Sequence, residues 1–380
     1  MENFISYNPT NLHFGKDVVN ELGAIAASTG RKALLVYGGG SVLRNGSYQD
    51  TVNQLKANNI DIIEYSGIKP NPLVKSVDEA AELGLKEGVD MVVAVGGGSV
   101  IDSAKIIAVC ISDKVKGWEI MTGAHEPKAT IPLILVLTLA ATGTEMNPTA
   151  VLQNPESDDK RGFRHPVMFP KHSFLDPGYT KSVPPDYTAY GIVDLVAHSL
   201  EAWFGAGHAP LSDKFVLAII KEALEIGPKL MKDLENYELR ARIMWAATNA
   251  LNDVTMHARK SGDWGVHGLG HILSYLYDTA HGATLSIIYP AWMKHIALRA
   301  PDRIIELGSA LFGVNSVSAT VKEFEKFFIE LGSPIRANEA GINKEKSSEI
   351  LELMRKHKVS GMHHSLDESD RKAIVEMMMV

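Results

Sequence analysis

Short apolar runs alternate with amphipathic stretches through the first half of the chain. Ala33–Tyr37, Asp61–Tyr65, Met91–Val95 and Leu133–Leu137 read as strands. Helical patterns run from Tyr48 to Asn58, from Val74 to Glu87, and through Ile101, Ala104, Lys105, Ala108 and Val109. A strand buried on both faces loses its polar alternation, so strand–helix repetition of this kind predicts a parallel, doubly wound sheet. From Tyr187 the pattern turns helical almost to the C-terminus, with Val216–Lys229, Glu238–Ala250, Pro301–Leu311 and Val321–Leu331 as examples. Leu285–Ile288 is the best strand candidate there. Two prolines in Val183-Pro184-Pro185 disfavour helix continuation. The pattern therefore predicts an α/β domain over 1–185 and a helical domain over 186–380.

Composition narrows the class. The 380 residues carry a net charge of −7, which gives no support for binding nucleic acid or an anionic membrane. The N-terminus lacks the basic and apolar regions of a signal peptide. The longest strongly apolar run, Ile131–Ala141, falls short of the ~20 residues that span a bilayer, so a cytoplasmic chain is expected. With one cysteine, Cys110, neither an intrachain disulfide nor a multi-thiolate zinc site can form. Fourteen histidines stand against it, five of them between His257 and His295.

Two Gly-Gly-Gly-Ser segments each follow a strand. Gly96-Gly97-Gly98-Ser99 opens a helix, where free N–H groups and the helix dipole suit a phosphate. Neither segment is a GxGxxG fingerprint or a P-loop. A tight turn accounts for one such segment, but two at equivalent strand ends favour a dinucleotide site. No acid stands between Tyr37 and Ser41 to hold a ribose 2′-hydroxyl, and Arg44 is close, which favours NADP over NAD. Thr138–Glu145, after the fourth strand, reads as a hydroxyl-rich turn that can also meet a cofactor.

Asp194 and His198 are four apart, and His267 and His271 repeat the spacing, so each pair shares one helix face. His281 follows beside a glycine. A lone histidine is usually structural, but two such pairs and a third histidine point to a metal. Imidazole with carboxylate suits Zn²⁺ or Fe²⁺. Spacing leaves open which histidines bind. It fits zinc hydrolases and oxidoreductases alike, and the nucleotide-like half tips the balance to an oxidoreductase.

Jointly, Gly96–Asp102 (GGGSVID), Thr138–Asn147 (TLAATGTEMN), Gly191–His198 (GIVDLVAH), Gly262–His271 (GDWGVHGLGH) and Tyr277–Gly282 (YDTAHG) resemble the iron-containing, or group III, alcohol dehydrogenases. The likeness is greatest to their NADPH-dependent aldehyde reductase and butanol dehydrogenase branch. It implies a Rossmann-like sheet domain followed by an all-α domain, in a dehydroquinate synthase-like architecture. It implies reversible hydride transfer between NADP(H), with NAD possible, and an aldehyde or primary alcohol. One Fe²⁺ or Zn²⁺ ion is expected on Asp194, His198, His267 and His281, with His271 near the nicotinamide as a proton relay. Gly39, Gly40 and Ser41 match the region around the adenosine phosphate. Asn71, Gly97, Gly98, Ser99 and Asp102 match the pyrophosphate and ribose region, Thr138, Thr142 and Asn147 the nicotinamide side, and Lys160 a ribose lysine. The family is typically dimeric through an N-terminal strand like Phe4–Phe14. Met121–Lys128 and Met362–Ser365 carry no family motif and are candidates for lining the substrate pocket. A metal-dependent hydrolase and a dehydroquinate synthase-like cyclase are the alternatives. The two glycine turns oppose the first. The second would need a basic cluster, and Arg259 and Lys260 are the main basic residues near the ligand helices.

Overall fold

All residues, Met1–Val380, are described in a computed structural model. The chain divides into two units: Tyr7–Val183 with Leu234–Thr248, and Pro184–Asp233 with Asn249–Val380 and Met1–Ser6.

The first unit holds β1 (Asn11–Phe14), α1 (Leu22–Thr29), β2 (Lys32–Tyr37), α2 (Ser41–Arg44), α3 (Ser47–Ala57), β3 (Asp61–Tyr65), α4 (Val74–Glu87) and β4 (Met91–Gly96). It continues through α5 (Gly98–Asp113), α6 (Gly117–Met121), β5 (Leu133–Leu137), β6 (Thr149–Asn154), β7 (Asp159–Arg164) and β8 (His172–Leu175). Six strands form one parallel sheet in the order β1-β8-β5-β4-β2-β3. Alternate residues of each strand point to opposite faces. Leu34, Val36, Val92, Ala94 and Leu135 pack under α4, α5 and α6, while Ala33, Leu35, Val93, Val95 and Val136 pack under α1 and α3. Both faces are covered, which is why these strands are apolar throughout. Gly88 ends α4 in the left-handed region at φ +66°, where a Cβ would be strained.

Several features depart from the sequence reading. The antiparallel hairpin β6–β7 is not signalled by apolar runs, because one of its strands reads Asp159-Lys160-Arg161-Gly162-Phe163-Arg164. Of the expected N-terminal strand Phe4–Phe14, only Asn11–Phe14 is strand, pairing with β8 at the sheet edge. Residues 1–6 instead join the second unit, where the Glu2 N–H donates to the Ala258 carbonyl at 3.0 Å and Phe4 stacks on His257.

The second unit is helical: α7 (Pro185–Trp203), α8 (Pro210–Lys232), α10 (Gly265–Tyr277), α11 (His281–Ile296), α12 (Pro301–Phe312), α13 (Val317–Glu330), α14 (Ser347–Lys356) and α15 (Glu368–Met378). Proline at the first position starts α7, α8 and α12, where its missing N–H costs nothing. The helix between α8 and α10 in sequence, α9 (Tyr237–Ala250), belongs with the sheet instead up to Thr248. Met244 enters the sheet core, and the Thr248 hydroxyl donates to the buried Glu145 carboxylate at 2.5 Å. The domains expected over 1–185 and 186–380 therefore exchange two segments. Leu285–Ile288, expected as a strand, lies within α11. That helix packs against α7, α10, α13 and α15, so its Leu285–Ile288 stretch is buried, and periodicity cannot separate a short apolar run in such a helix from a buried strand. No single helix is long and apolar enough to cross a membrane.

Candidate functional site

In the sheet unit, β2 is followed in sequence by β3 on one side of it, while β4 lies on its other side. The connection thus reverses at the C-terminal ends of β2 and β4, the position where open α/β sheets bind ligands. Both glycine turns sit there. Gly97 is the extended N-cap of α5, a helix of 16 residues, so N–H groups point out of the turn. A Cβ on Gly98 would come within 2.8 Å of the Thr142 methyl, and one on Gly97 within 3.1 Å of Leu139. The phosphate-type turn is thus packed against the loop after β5 with no room for side chains. Across the cradle, Gly39, Gly40 and Ser41 are exposed, and the Arg44 guanidinium folds over Gly40, where a Cβ would lie 2.8 Å from Nη1. Lys160 on β7 donates to the Asn71 carbonyl oxygen Oδ1 at 2.7 Å, so these two distant residues meet.

Two of the expected cofactor residues also make hydrogen bonds within the protein. Asp102 accepts from the Thr144 hydroxyl at 2.6 Å and from the Val151 N–H at 2.8 Å. Burial pushes its carboxyl up, opposed chiefly by Lys105. Asn147 is buried, with its amide donating to the Gly143 carbonyl at 2.9 Å and accepting from the Thr149 N–H at 2.9 Å. Thr138 is buried just after β5, its N–H donating to the Gly96 carbonyl at 3.0 Å. At the centre of this network is Lys105, fully buried, which sequence reasoning places on the helix without giving it a role. Its Nζ donates to Thr144 Oγ1 at 2.6 Å, and to the Asn147 and Thr149 carbonyls at 2.7 Å each. The signal was a lone cation among apolar residues, three places after Asp102. An acid near the end of β2 also exists in space: Glu64 on β3, held by the Tyr37 and Tyr48 hydroxyls at 2.8 and 3.0 Å.

In the helical unit, Asp194 and His198 sit one turn apart on α7. His267 and His271 sit one turn apart on α10, and His281 opens α11. Asp194 Oδ1 lies 3.6 Å from Nε2 of His198 and 3.8 Å from Nε2 of both His267 and His281. Asp194, His267 and His281 are the tightest set, and His198 joins it through Asp194, its ring stacked on His267 at 4.8 Å. His271 lies outside it, with its ring 5.3 Å from that of His281. Gly282 permits the convergence: a Cβ there would stand 2.2 Å from the Tyr190 carbonyl oxygen, pushing the start of α11 away from α7.

These side chains fit a metal ion. Separations of 3.6–3.8 Å are too long for hydrogen bonds and close to the ~3.4 Å edge of a tetrahedron with ~2.1 Å metal–ligand bonds. Asp194 Oδ1 and His267 Nε2 are buried without a hydrogen-bond partner, a costly arrangement for a pocket meant to stay empty. Burial pushes His198 down to about 4, against the pull of Asp194, so its imidazole is neutral and able to ligate. Burial also opposes charge on His267, but Asp194 and Glu201 outweigh it and bring it up to about 9. The field that favours a proton there favours a metal cation as well. Burial opposes ionisation of Asp194 too, yet the three imidazoles hold its carboxyl far below the usual range.

Sequence reasoning also misses Glu201, seven places after Asp194 on the same buried helix. It is 1% exposed and contacts His267 and Trp264. The Met362–Ser365 loop is tied into this unit: the His363 and His364 N–H groups donate to Asp263 Oδ1 at 3.1 and 2.6 Å.

Known proteins resemble the chain over its whole length. Residues 9–177 match the family described as iron-containing alcohol dehydrogenase, and residues 188–378 its C-terminal counterpart. A probable NADH-dependent butanol dehydrogenase 1 of Bacillus subtilis (strain 168) is 38% identical, covering 99% of each chain. The NADPH-dependent aldehyde reductase YqhD of Escherichia coli (strain K12) is 33% identical over 98% of each. Among solved structures, the NADH-dependent butanol dehydrogenase A of Thermotoga maritima superposes with a TM-score of 0.96 at 34% identity, covering 100% of this chain and 99% of the other.

Proposed function

This chain belongs to the iron-containing alcohol dehydrogenase family, and from that premise we propose that it interconverts small aldehydes and primary alcohols by hydride transfer with NADP(H). The convergence of Asp194 Oδ1 with three imidazoles is the observation that carries this reading. Asp194, His198, His267 and His281 hold one divalent ion, Fe²⁺ or Zn²⁺. When bound, the metal supplies Lewis acidity to the substrate oxygen and the nicotinamide supplies the hydride. Everything else falls to the chain. Gly97–Ser99 at the N-terminus of α5 holds the pyrophosphate. Lys160 and Asn71 reach the ribose, and Thr138 and Thr142 lie on the nicotinamide side. Asp102 and Asn147 act from beneath, fixing the loops that carry those contacts. His271 passes a proton between the substrate oxygen and solvent, a task suited to an imidazole near neutral pH.

NADPH is the preferred donor. Gly39, Gly40 and Ser41 leave space for a 2′-phosphate beside Arg44, and the nearest acid, Glu64, is occupied by two tyrosine hydroxyls. The relatives include proteins named for either cofactor, so this choice rests on those residues. A cytoplasmic homodimer is the expected state, and β1 at the sheet edge is the strand that would pair.

The test is the NADPH absorbance band followed with a panel of aldehydes and diols. Aldehyde-dependent loss of NADPH is expected, with kcat/KM higher than for NADH. The reverse ordering would refute the cofactor choice. Turnover that needs metal but no nicotinamide would replace a dehydrogenase with a hydrolase.

A further inference from the structure

Glu201 is a buried side chain that accepts three hydrogen bonds, two from His267 and one from Trp264. Oε1 accepts from the His267 backbone N–H at 3.0 Å and from His267 Nδ1 at 2.7 Å, while Oε2 accepts from the Trp264 N–H. Oε1 already takes the His267 backbone N–H, and Nδ1 stands 2.7 Å from the same oxygen, so Nδ1 carries a proton and Nε2, facing Asp194 Oδ1, is the ring atom left for a metal. Taking a carboxylate out of water is expensive unless positive charge lies close. A divalent ion on the histidines, with Asp194 as the other carboxylate, brings the group to neutrality.

The same residue reaches further. The Glu201 main-chain carbonyl accepts from the Asp263 N–H at 3.0 Å. Asp263 is fully buried, and its carboxylate takes the N–H groups of Gly265, His363 and His364, while its carbonyl accepts from the Met362 N–H at 2.6 Å. Gly361 lies against this cluster, where a Cβ would meet the Asp263 oxygens at 2.5 Å. The Trp264 ring packs edge-on against His267 at 5.3 Å and leans on His198 at 6.3 Å. One continuous set of contacts therefore runs from His267 through Glu201 to Trp264, Asp263 and the Gly361–His364 loop.

We propose that Glu201 is a positioning residue that holds His267 in its metal-binding tautomer and couples metal occupancy to the order of the Gly361–His364 loop. The proposal rests on the metal reading above. Outer-shell partners of this kind contribute about 10–100-fold to metal affinity. Glu201→Gln keeps the size but presents an amide donor to at least one of the three N–H groups. Its Zn²⁺ affinity, measured by competition with a chromophoric chelator, is expected to fall about 10–100-fold. Hydrogen exchange gives an independent readout. Zn²⁺ loading should slow exchange at Met362, His363 and His364 in the wild-type protein and fail to do so in E201Q. Asp263→Asn breaks only the distal half: loop exchange should be fast with and without Zn²⁺, with no measurable loss of Zn²⁺ affinity. If E201Q does not fold, Glu201→Asp, which withdraws the carboxylate by one methylene, is read the same way. Wild-type Zn²⁺ affinity in whichever variant folds overturns the positioning role. Loop exchange indifferent to Zn²⁺ in the wild-type protein overturns the coupling. Failure of the wild-type protein to take up Zn²⁺, Fe²⁺ or Co²⁺ strikes the metal reading instead.

Discussion

Replacing Lys105 with methionine tests whether the cofactor cradle depends on a buried cation. The substitution keeps an unbranched side chain, one heavy atom shorter, and deletes its charge. Lys105 is fully buried, and its three short hydrogen bonds end on Thr144 Oγ1 and the Asn147 and Thr149 carbonyls. Burial draws its pKa down to about 8 against the pull of Asp102 and Glu145, so it is charged at neutral pH, as three acceptors require. Methionine would leave two carbonyls without a donor and two buried carboxylates without their cation. Removing one partner of a buried charge network costs about 3–5 kcal/mol. In a unit of roughly 190 residues, each kcal/mol lowers Tm by about 2–4 °C, so a fall of about 6–20 °C is expected. Calorimetry at pH 7 reads it directly. Fluorescence titration should show weakened NADPH binding, because the freed Thr142–Thr149 loop backs Gly98. Aldehyde KM should move less. A Tm within about 2 °C of wild type, with unchanged NADPH affinity, would refute the argument.

Dialysis against a chelator should abolish turnover, and Asp194→Ala or His198→Ala should lower bound metal measured by elemental analysis; stoichiometric metal in both variants would remove the assignment. Asp370 anchors α15, accepting from Arg299, His295 and the Asp367 N–H. Burial raises its pKa, but these partners outweigh it and bring it down to about 2. A depressed carboxyl stabilises the fold above its unfolded pKa near 3.9 and loses that contribution as pH falls toward 2. Asp370→Asn should therefore be less stable than wild type at pH 7, with the gap in denaturant midpoint closing between about pH 4 and 2; a constant gap would contradict this. Cys110 is buried in α5, and burial pushes its thiol well above the usual range. Ellman's reagent should find no reactive thiol in the native protein and one after unfolding.

The parallel strands and the Gly96–Ser99 turn are legible in the sequence because a strand covered on both faces must be apolar, and a strand-to-helix turn packed as tightly as Gly98 on Thr142 excludes side chains. Helical spacing picks out Asp194 with His198 and His267 with His271, whereas the choice of His281 over His271 comes from the family resemblance. What escapes is whatever depends on a partner far along the chain. Glu201 reads as one acid on an apolar helix until His267 is placed beside it, and Lys105 as an oddity until Asn147 and Thr149 supply their carbonyls. Asp102 and Asn147 stand at motif positions, and their hydrogen bonds to Thr144 and Gly143 show only once the fold is formed. Local pattern reports what a residue needs, and only tertiary pairing reports which neighbour provides it.

The sheet unit borrows α9 from beyond residue 230, and this orders events during synthesis. Domains tend to fold from the N-terminus as the ribosome delivers them. Here a nascent chain ending at Val183 would have every strand yet lack Met244 in its core and the Thr248 hydroxyl for Glu145. Its last hydrophobic face would stay open while some fifty to sixty-five further residues are made, or roughly 3–13 s at 5–20 residues per second. A gene fragment stopped at Val183 should accordingly be sticky and dependent on chaperones. Supplying the Leu234–Thr248 segment in trans, or grafting it after Val183, is the rational way to cut this protein in two.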